Sequence, residues 1–353
     1  MSDISTPTNY HDFRKVFLEE VQNRGLQLQS IQVRGLSPSG RPMFTDIAHT
    51  VFNPQLPTLI HLSGCHGIEG YLGSAIQTEI LKTIELTAYQ KVNIIFVHVL
   101  NPWGMSWYRR VNAHNVDLNR NFFPDGTERP QNLDFDVFAP LFEKRPQQKK
   151  WKTWKQIILT ILRKGFRESA GIIARGQYHL EESLFYGGSH LEPEITEPLR
   201  VLQKIIKGNS PILCLDVHSG LGKFGSENWL LDGNHNDDEL QLWNKFLEQD
   251  LVDVRTAKGF YPAQGMLSVA FRNTFAANKV SYIYEEFGTR PLLAIFRGLI
   301  REHKSFLKLK LDRARAFLMI AAFYPYEKGW RVKTLDCGKE SYFRVLRALN
   351  DLK

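Results

Sequence analysis

Cysteine is scarce in this chain of 353 residues. Cys65, Cys214 and Cys337 are the only three, an odd and widely spaced set that argues against a disulfide framework. No Asn-x-Ser/Thr sequon occurs. The first residues, Met1–Thr6, lack the basic-then-apolar profile of a signal peptide. The longest apolar run, near Phe317–Phe323, is far too short to span a bilayer. These absences make a reducing, cytoplasmic compartment the expected one. Zinc-finger spacing, an arginine-rich tail and RNA-binding signatures are missing, so nucleic acid is not an expected partner. Walker A and G-x-S-x-G motifs are missing too. Internal repeats and low-complexity linkers are absent.

What is present fits a folded enzyme. Hydrophobic residues make up 43% and charged residues 23%, enough for a large core and too balanced for general disorder. The formal net charge is +8. A basic soluble protein accounts for it, as would an acidic substrate or an anionic surface.

Strand-like and helix-like runs alternate. Gln27–Val33 and residues 43–52 read as strands, Pro57–Leu62 as a buried strand, and Tyr71–Glu85 as a helix with apolar residues at helical spacing. Val92–Leu100, Ile212–Val217 and Val280–Tyr284 are continuous apolar runs, typical of central strands covered on both faces. The pattern predicts an α/β fold with a mixed, mostly parallel sheet and functional residues at the carboxyl ends of strands. One domain over 1–353 is the simplest account, with an insertion at about 125–210 and a helical C-terminal segment at about 291–353. In the insertion, Lys144–Arg167 is basic and places Trp151, Trp154, Ile158 and Leu162 near one helix face. That face is expected to cover the sheet; a membrane-surface or partner-binding helix is the alternative.

Four polar islands follow strand-like runs. The first is Ser63-Gly64-Cys65-His66-Gly67-Ile68-Glu69-Gly70, in a strand-to-helix turn where His66 and Glu69 can converge. The second, Asp117-Leu118-Asn119-Arg120-Asn121-Phe122, offers an arginine fork and an adjacent amide suited to a carboxylate. Arg110, and beside it Arg109, can reach a developing oxyanion. The third, Asp216-Val217-His218-Ser219, ends a strand. Two imidazoles and one carboxylate, His66, His218 and Glu69, form the ligand set of a catalytic zinc with an open position. Asp216 shares His218's strand face and is placed to orient it. The fourth is Glu285-Glu286-Phe287-Gly288-Thr289. A carboxylate ending a buried strand needs a partner or a job, and only one of Glu285 and Glu286 can face the site. Gly220-Leu221-Gly222-Lys223-Phe224-Gly225 matches G-x-G-x-x-G, but no helix-like segment follows and His218 stands just before it, which excludes dinucleotide binding.

Together these residues resemble the zinc carboxypeptidase superfamily, peptidase family M14, with its aspartoacylase and succinylglutamate desuccinylase relatives. The pattern H-x-x-E, R-x-N…D-L-N-R-N-F, D-x-H-S and a strand-ending Glu is met by His66/Glu69, Arg110-Val111-Asn112…Asp117–Phe122, Asp216–Ser219 and Glu286. The contexts Gly176-Gln177-Tyr178, Phe185-Tyr186-Gly187-Gly188 and Glu286-Phe287-Gly288-Thr289 resemble the DUF2817 branch, over about residues 10–325. The resemblance implies a phosphorylase/hydrolase-like carboxypeptidase fold. It implies one Zn²⁺ held by His66, Glu69 and His218, with Glu286 as general base and Arg110 stabilising the oxyanion. Asn119 and Arg120 would hold the substrate carboxylate, and Tyr261 is the counterpart of a tyrosine that carboxypeptidases carry on a loop before the catalytic Glu. Arg272 is a candidate selector of an acidic side chain. The implied substrate is a peptide or an N-acyl amino acid with a free carboxylate. A non-catalytic binding protein on the same fold is the reading from another class.

Overall fold

The continuous apolar runs become strands with both faces covered. The protein is described here by a computed structural model covering residues 8–124, 126–142, 150–232, 237–247, 251–253, 263–306 and 313–351. Its strands are β1 (Gln27–Leu36), β2 (Pro42–His49), β3 (Thr58–Ser63), β4 (Asn93–His98), β5 (Ile212–Gly220), β6 (Glu227–Leu231), β7 (Val252–Asp253) and β8 (Val280–Gly288). Its helices are α1 (Tyr10–Asn23), α2 (Gly70–Thr83), α3 (Pro102–Ser106), α4 (Lys150–Ala174), α5 (Pro193–Ile205), α6 (Asp237–Leu247), α7 (Leu267–Thr274), α8 (Leu292–Phe306), α9 (Arg313–Phe323) and α10 (Lys328–Asn350).

The strands form one mixed sheet in the order β1-β2-β4-β3-β5-β8-β6-β7. The four middle strands, β4, β3, β5 and β8, are parallel, while β1, β2 and β6 join antiparallel. Every residue of β3, β4 and β5 is buried, whereas edge strand β1 is mostly exposed and rich in Gln, Ser and Arg. Alternation along the central strands divides the core. Leu59, Ile94, Phe96, Leu213 and Ile283 face one side, in a cluster with Phe17, Ile76 and Tyr342 of α1, α2 and α10. Their neighbours Ile60, Ile95, Cys214 and Tyr282 face the other, with Leu202 of α5 and Phe271 of α7.

Two sequence-based expectations change. Trp151, Trp154, Ile158 and Leu162 do form one helix face, but they are 61%, 54%, 52% and 75% exposed and do not cover the sheet. Ile157 is buried instead, together with Ala170, Ile172 and Ile173 beyond a break at Gly165, where φ is +81°. The C-terminal segment expected to be helical at about 291–353 is divided into α8, α9 and the long α10, with residues 307–312 outside the described set.

Two histidines are sealed within the central strands. Burial pulls His61 down to about 3 and His98 to about 4. His98 stacks on Phe17 at 4.1 Å and meets Ser74 Oγ at 2.6 Å. Both are neutral in the fold, so the unfolded chain takes up protons first as pH falls. Stability is therefore complete above about pH 6.5 and is lost as pH drops toward the folded values. The loss is roughly 2 kcal/mol per histidine by pH 5. Urea unfolding at pH 7 and 5 should show this fall, and His98→Gln, though weaker at pH 7, should lose about 2 kcal/mol less between the two.

Candidate active site

The site is assembled where β3, β5 and β8 end. After β3 the chain turns at Gly64, with φ +65°, where a Cβ would stand 2.8 Å from Val99 Cβ. At Gly67 a Cβ would stand 2.2 Å from the Gly104 backbone, so only glycine permits this packing. The turn is tied down by Gly67 N–H donating to Arg110 O at 3.0 Å and Ile68 N–H to Arg109 O at 2.8 Å. That pairing sets the arginine loop beside His66 and Glu69. Across the sheet, His218 on β5 lies in register with Glu286 on β8.

His66, Glu69 and His218 are all buried and offer donor atoms within 4.8 Å of one another. Glu69 Oε2 lies 2.9 Å from His218 Nδ1, and Glu69 Oε1 lies 3.0 Å from His66 Nδ1. His66 Nδ1 makes no hydrogen bond, an orphaned nitrogen in a buried polar cluster. A carboxylate stands on the far side of each ring: His66 Nε2 meets Asp117 Oδ1 at 3.1 Å, and His218 Nε2 lies 3.0 Å from Asp216 Oδ2, close enough to pair but without a hydrogen bond. Tyr282 O–H donates to that same Asp216 oxygen at 2.8 Å. Two Nδ1 atoms and one carboxylate, with an aspartate beside each Nε2, fit a divalent metal such as zinc. Cys65 also lies near Asp216 and His218, but burial pushes its thiol well up, which disfavours the thiolate a metal requires.

The electrostatics follow from this packing. Burial opposes ionisation of Glu69, yet His66 and His218 overcome it and hold the carboxyl well below its ordinary range. Burial likewise opposes ionisation of Asp117, and Arg110 and His66 overcome it. For His218 burial favours the neutral ring, but Asp216 and Glu69 reverse that and raise it well above the usual value. Arg110 bridges the cluster, its Nε donating to Asp117 Oδ2 at 3.0 Å and its Nη1 to Glu69 Oε1 at 3.2 Å.

Glu286 faces the same cavity as His66, Glu69, Arg110 and His218. Its Oε1 accepts from Leu221 N–H at 2.7 Å. Burial, and next the charge of Glu69, push it up to about 8. Glu285 projects to the opposite face of β8, beside Glu227; burial and that second carboxylate raise it well above the usual range. Asn119 and Arg120 also line the cavity. Asn119 Oδ1 accepts from Leu267 N–H at 3.0 Å, while Arg120 Nε and Nη2 donate to Ala174 O at 3.2 and 2.8 Å.

Other candidates fall elsewhere. Tyr261 lies outside the described residues. Arg109 turns from the cavity: its Nε donates to Glu302 Oε1 at 2.7 Å and its Nη2 to Asn115 Oδ1 at 3.0 Å, and it lies over the Phe306 ring. Arg272 is neither a free selector nor a plain exposed charge, because its fork is taken up by Asp232 and Glu239.

The family whose sequence model matches residues 7–337 is described as "Protein of unknown function (DUF2817)". The chain belongs to this family. No curated protein matches it. Among solved structures it is similar to carboxypeptidase A from Helicoverpa armigera, at 15% identity over 88% of this chain and 74% of that one, with a TM-score of 0.47. It is also similar to a metallo-carboxypeptidase from Burkholderia cenocepacia, at 12% identity over 86% and 67%, TM-score 0.44. A third is a candidate succinylglutamate desuccinylase/aspartoacylase from Shewanella frigidimarina NCIMB 400, at 13% identity over 82% and 71%, TM-score 0.38.

Three contributions escape a reading by motif. Asp117 serves both His66 and Arg110, a role hidden inside an island that draws attention to its asparagine and arginine. The Leu221 amide that holds Glu286 belongs to the glycine-rich stretch dismissed as a nucleotide loop, and backbone donors leave no sequence signal. The apolar cavity wall of Leu292, Ile295, Phe296, Leu299 and Phe323 comes from α8 and α9, where helical periodicity reads as ordinary core.

The metal prediction is direct. The purified chain should bind about one zinc, and His66→Ala or His218→Ala should abolish this. Asp216→Asn or Asp117→Asn should weaken it roughly 10- to 100-fold, read by competition with a chelator. Because His218 is held protonated, zinc uptake should release protons and weaken as pH falls, which calorimetry in buffers of different ionisation enthalpy detects.

Proposed function

We propose that this protein is a zinc-dependent hydrolase that cleaves an amide bond next to a free carboxylate. One observation carries the reading: the orphaned His66 nitrogen, Glu69 and His218 converge at one wall of a cavity that also holds Glu286 and Arg110. When bound, zinc supplies a Lewis acid that polarises a carbonyl and acidifies water.

The protein groups have separable tasks. Zinc held by His66, Glu69 and His218 would favour the ionised form of Glu286, which burial and Glu69 push up to about 8. Ionised Glu286 accepts a proton from the attacking water and returns it to the leaving nitrogen. The Leu221 N–H fixes one of its oxygens and leaves the other for the proton transfer. Arg110 carries fixed positive charge at the cavity wall, aligned in advance by Asp117 and Glu69, and meets the developing oxyanion. Asn119 and Arg120 receive the substrate carboxylate, with Arg120 sharing or releasing the Ala174 carbonyl to do so.

The apolar wall favours a second reading within the same chemistry. Leu292, Ile295, Phe296 and Phe323 suit either an apolar C-terminal side chain or the acyl group of an N-acyl amino acid. A panel of short peptides beside N-acyl amino acids separates a carboxypeptidase from an amidohydrolase. Zinc binding without turnover on any panel member would leave the non-catalytic binding protein.

Glu286→Gln should keep zinc and lose about 10²- to 10⁴-fold in kcat. Glu285→Gln, on the other face of β8, should stay within a few fold. Equal losses in both would sink the assignment of the base.

A further inference from the structure

The active site does not explain the face of α4 that fails to cover the sheet. Between Lys150 and Lys164 the helix has five Lys or Arg residues and no Asp or Glu. At about 100° per residue, Trp151, Trp154, Ile158 and Leu162 fall within an arc of roughly 80°. All four are more than half exposed, and Phe166, just past the Gly165 break, is 58% exposed. Exposed Lys152, Lys155 and Arg163 lie on the flank of this arc, away from buried Ile157. On the other flank Lys164 Nζ meets Asp134 Oδ2 at 2.5 Å, and Ile157 packs into the core.

We propose that this half of α4 lies in the surface of an anionic lipid bilayer. Two tryptophans among aliphatic residues, flanked by cations with no anion, are the composition of a helix that sits at the headgroup boundary. The charge complements an anionic surface and repels a basic one. No described helix is long and apolar enough to cross a membrane, so the helix lies on the bilayer and does not span it. Its C-terminal residue, Ala174, lines the active-site cavity and holds Arg120 through its carbonyl.

The test is sedimentation of the full chain with vesicles of phosphatidylcholine mixed with phosphatidylglycerol, beside vesicles of phosphatidylcholine alone. Binding at least about tenfold tighter to the anionic vesicles, weakened by added salt, is expected, since each basic residue near such a surface contributes about 1 kcal/mol. Trp154→Glu with Leu162→Glu should abolish binding, and Lys152→Glu with Lys155→Glu should remove the preference for anionic lipid. All four side chains are exposed, so thermal unfolding should be unchanged. Should a variant misfold, tryptophan quenching by brominated lipid in the wild type, lost in Trp151→Phe with Trp154→Phe, supplies the same test. No binding to anionic vesicles would overturn the proposal. So would binding unaffected by Trp154→Glu with Leu162→Glu, or a wild-type dimer that this variant converts to monomer, since the face would then be covered by a second copy.

Discussion

Everything around the site depends on compensating carboxylates that have been taken out of water. Glu69, Asp117, Asp216 and Glu286 are all buried within a few residues' reach. An isolated carboxylate in such surroundings is driven neutral. Glu69 and Asp117 stay ionised because two imidazoles and the Arg110 guanidinium stand within hydrogen-bonding range. Among the described residues no cation forms an ion pair with Glu286, and burial with the charge of Glu69 pushes it up to about 8. A divalent cation held by His66, Glu69 and His218 would add the positive charge that Glu286 lacks.

The sheet makes such a cluster possible. Parallel strands β3, β5 and β8 bring their carboxyl ends to one edge, and the register that pairs His218 with Glu286 sets a ligand beside a base without a loop between them. Alternation then decides which neighbour enters the site. Asp216 and His218 share a face, as do Glu286 and Tyr284, while Glu285 is turned to the opposite side. The glycine turn after β3 works at shorter range. It lets the backbone of Gly67 touch that of Gly104, and this contact fixes Arg110 against Glu69.

These relations explain what could be read in advance. The strand runs at Val92–Leu100, Ile212–Val217 and Val280–Tyr284 were legible because burial on both faces demands continuous apolar residues, and the central sheet follows them closely. The metal-type donors were legible because few other arrangements place His-x-x-Glu and Asp-x-His after such strands. Arg109 and Arg272 were not. Their charge suggests a substrate, but Glu302 on α8 and Asp232 beyond β6 reach them only through tertiary folding. The apolar wall was hidden for the same reason, since Phe296 and Phe323 reach the cavity through the packing of α8 and α9.

Helix α4 shows a different limit. Its periodicity was read correctly, but periodicity names a face without naming what the face touches. An amphipathic helix over a sheet normally keeps its cations on the side opposite its apolar stripe. Here Ile157 is the one buried side chain among the described residues of the first half, and the larger apolar stripe points to solvent beside Lys155. Exposing two tryptophans and two aliphatic residues forgoes about 1.5–3 kcal/mol for each side chain that burial would return. That free energy is left unused on a helix whose Ile157 already packs into the core. The stripe is therefore better understood as surface kept for a second, lipid phase, with the basic flank setting which lipid it meets.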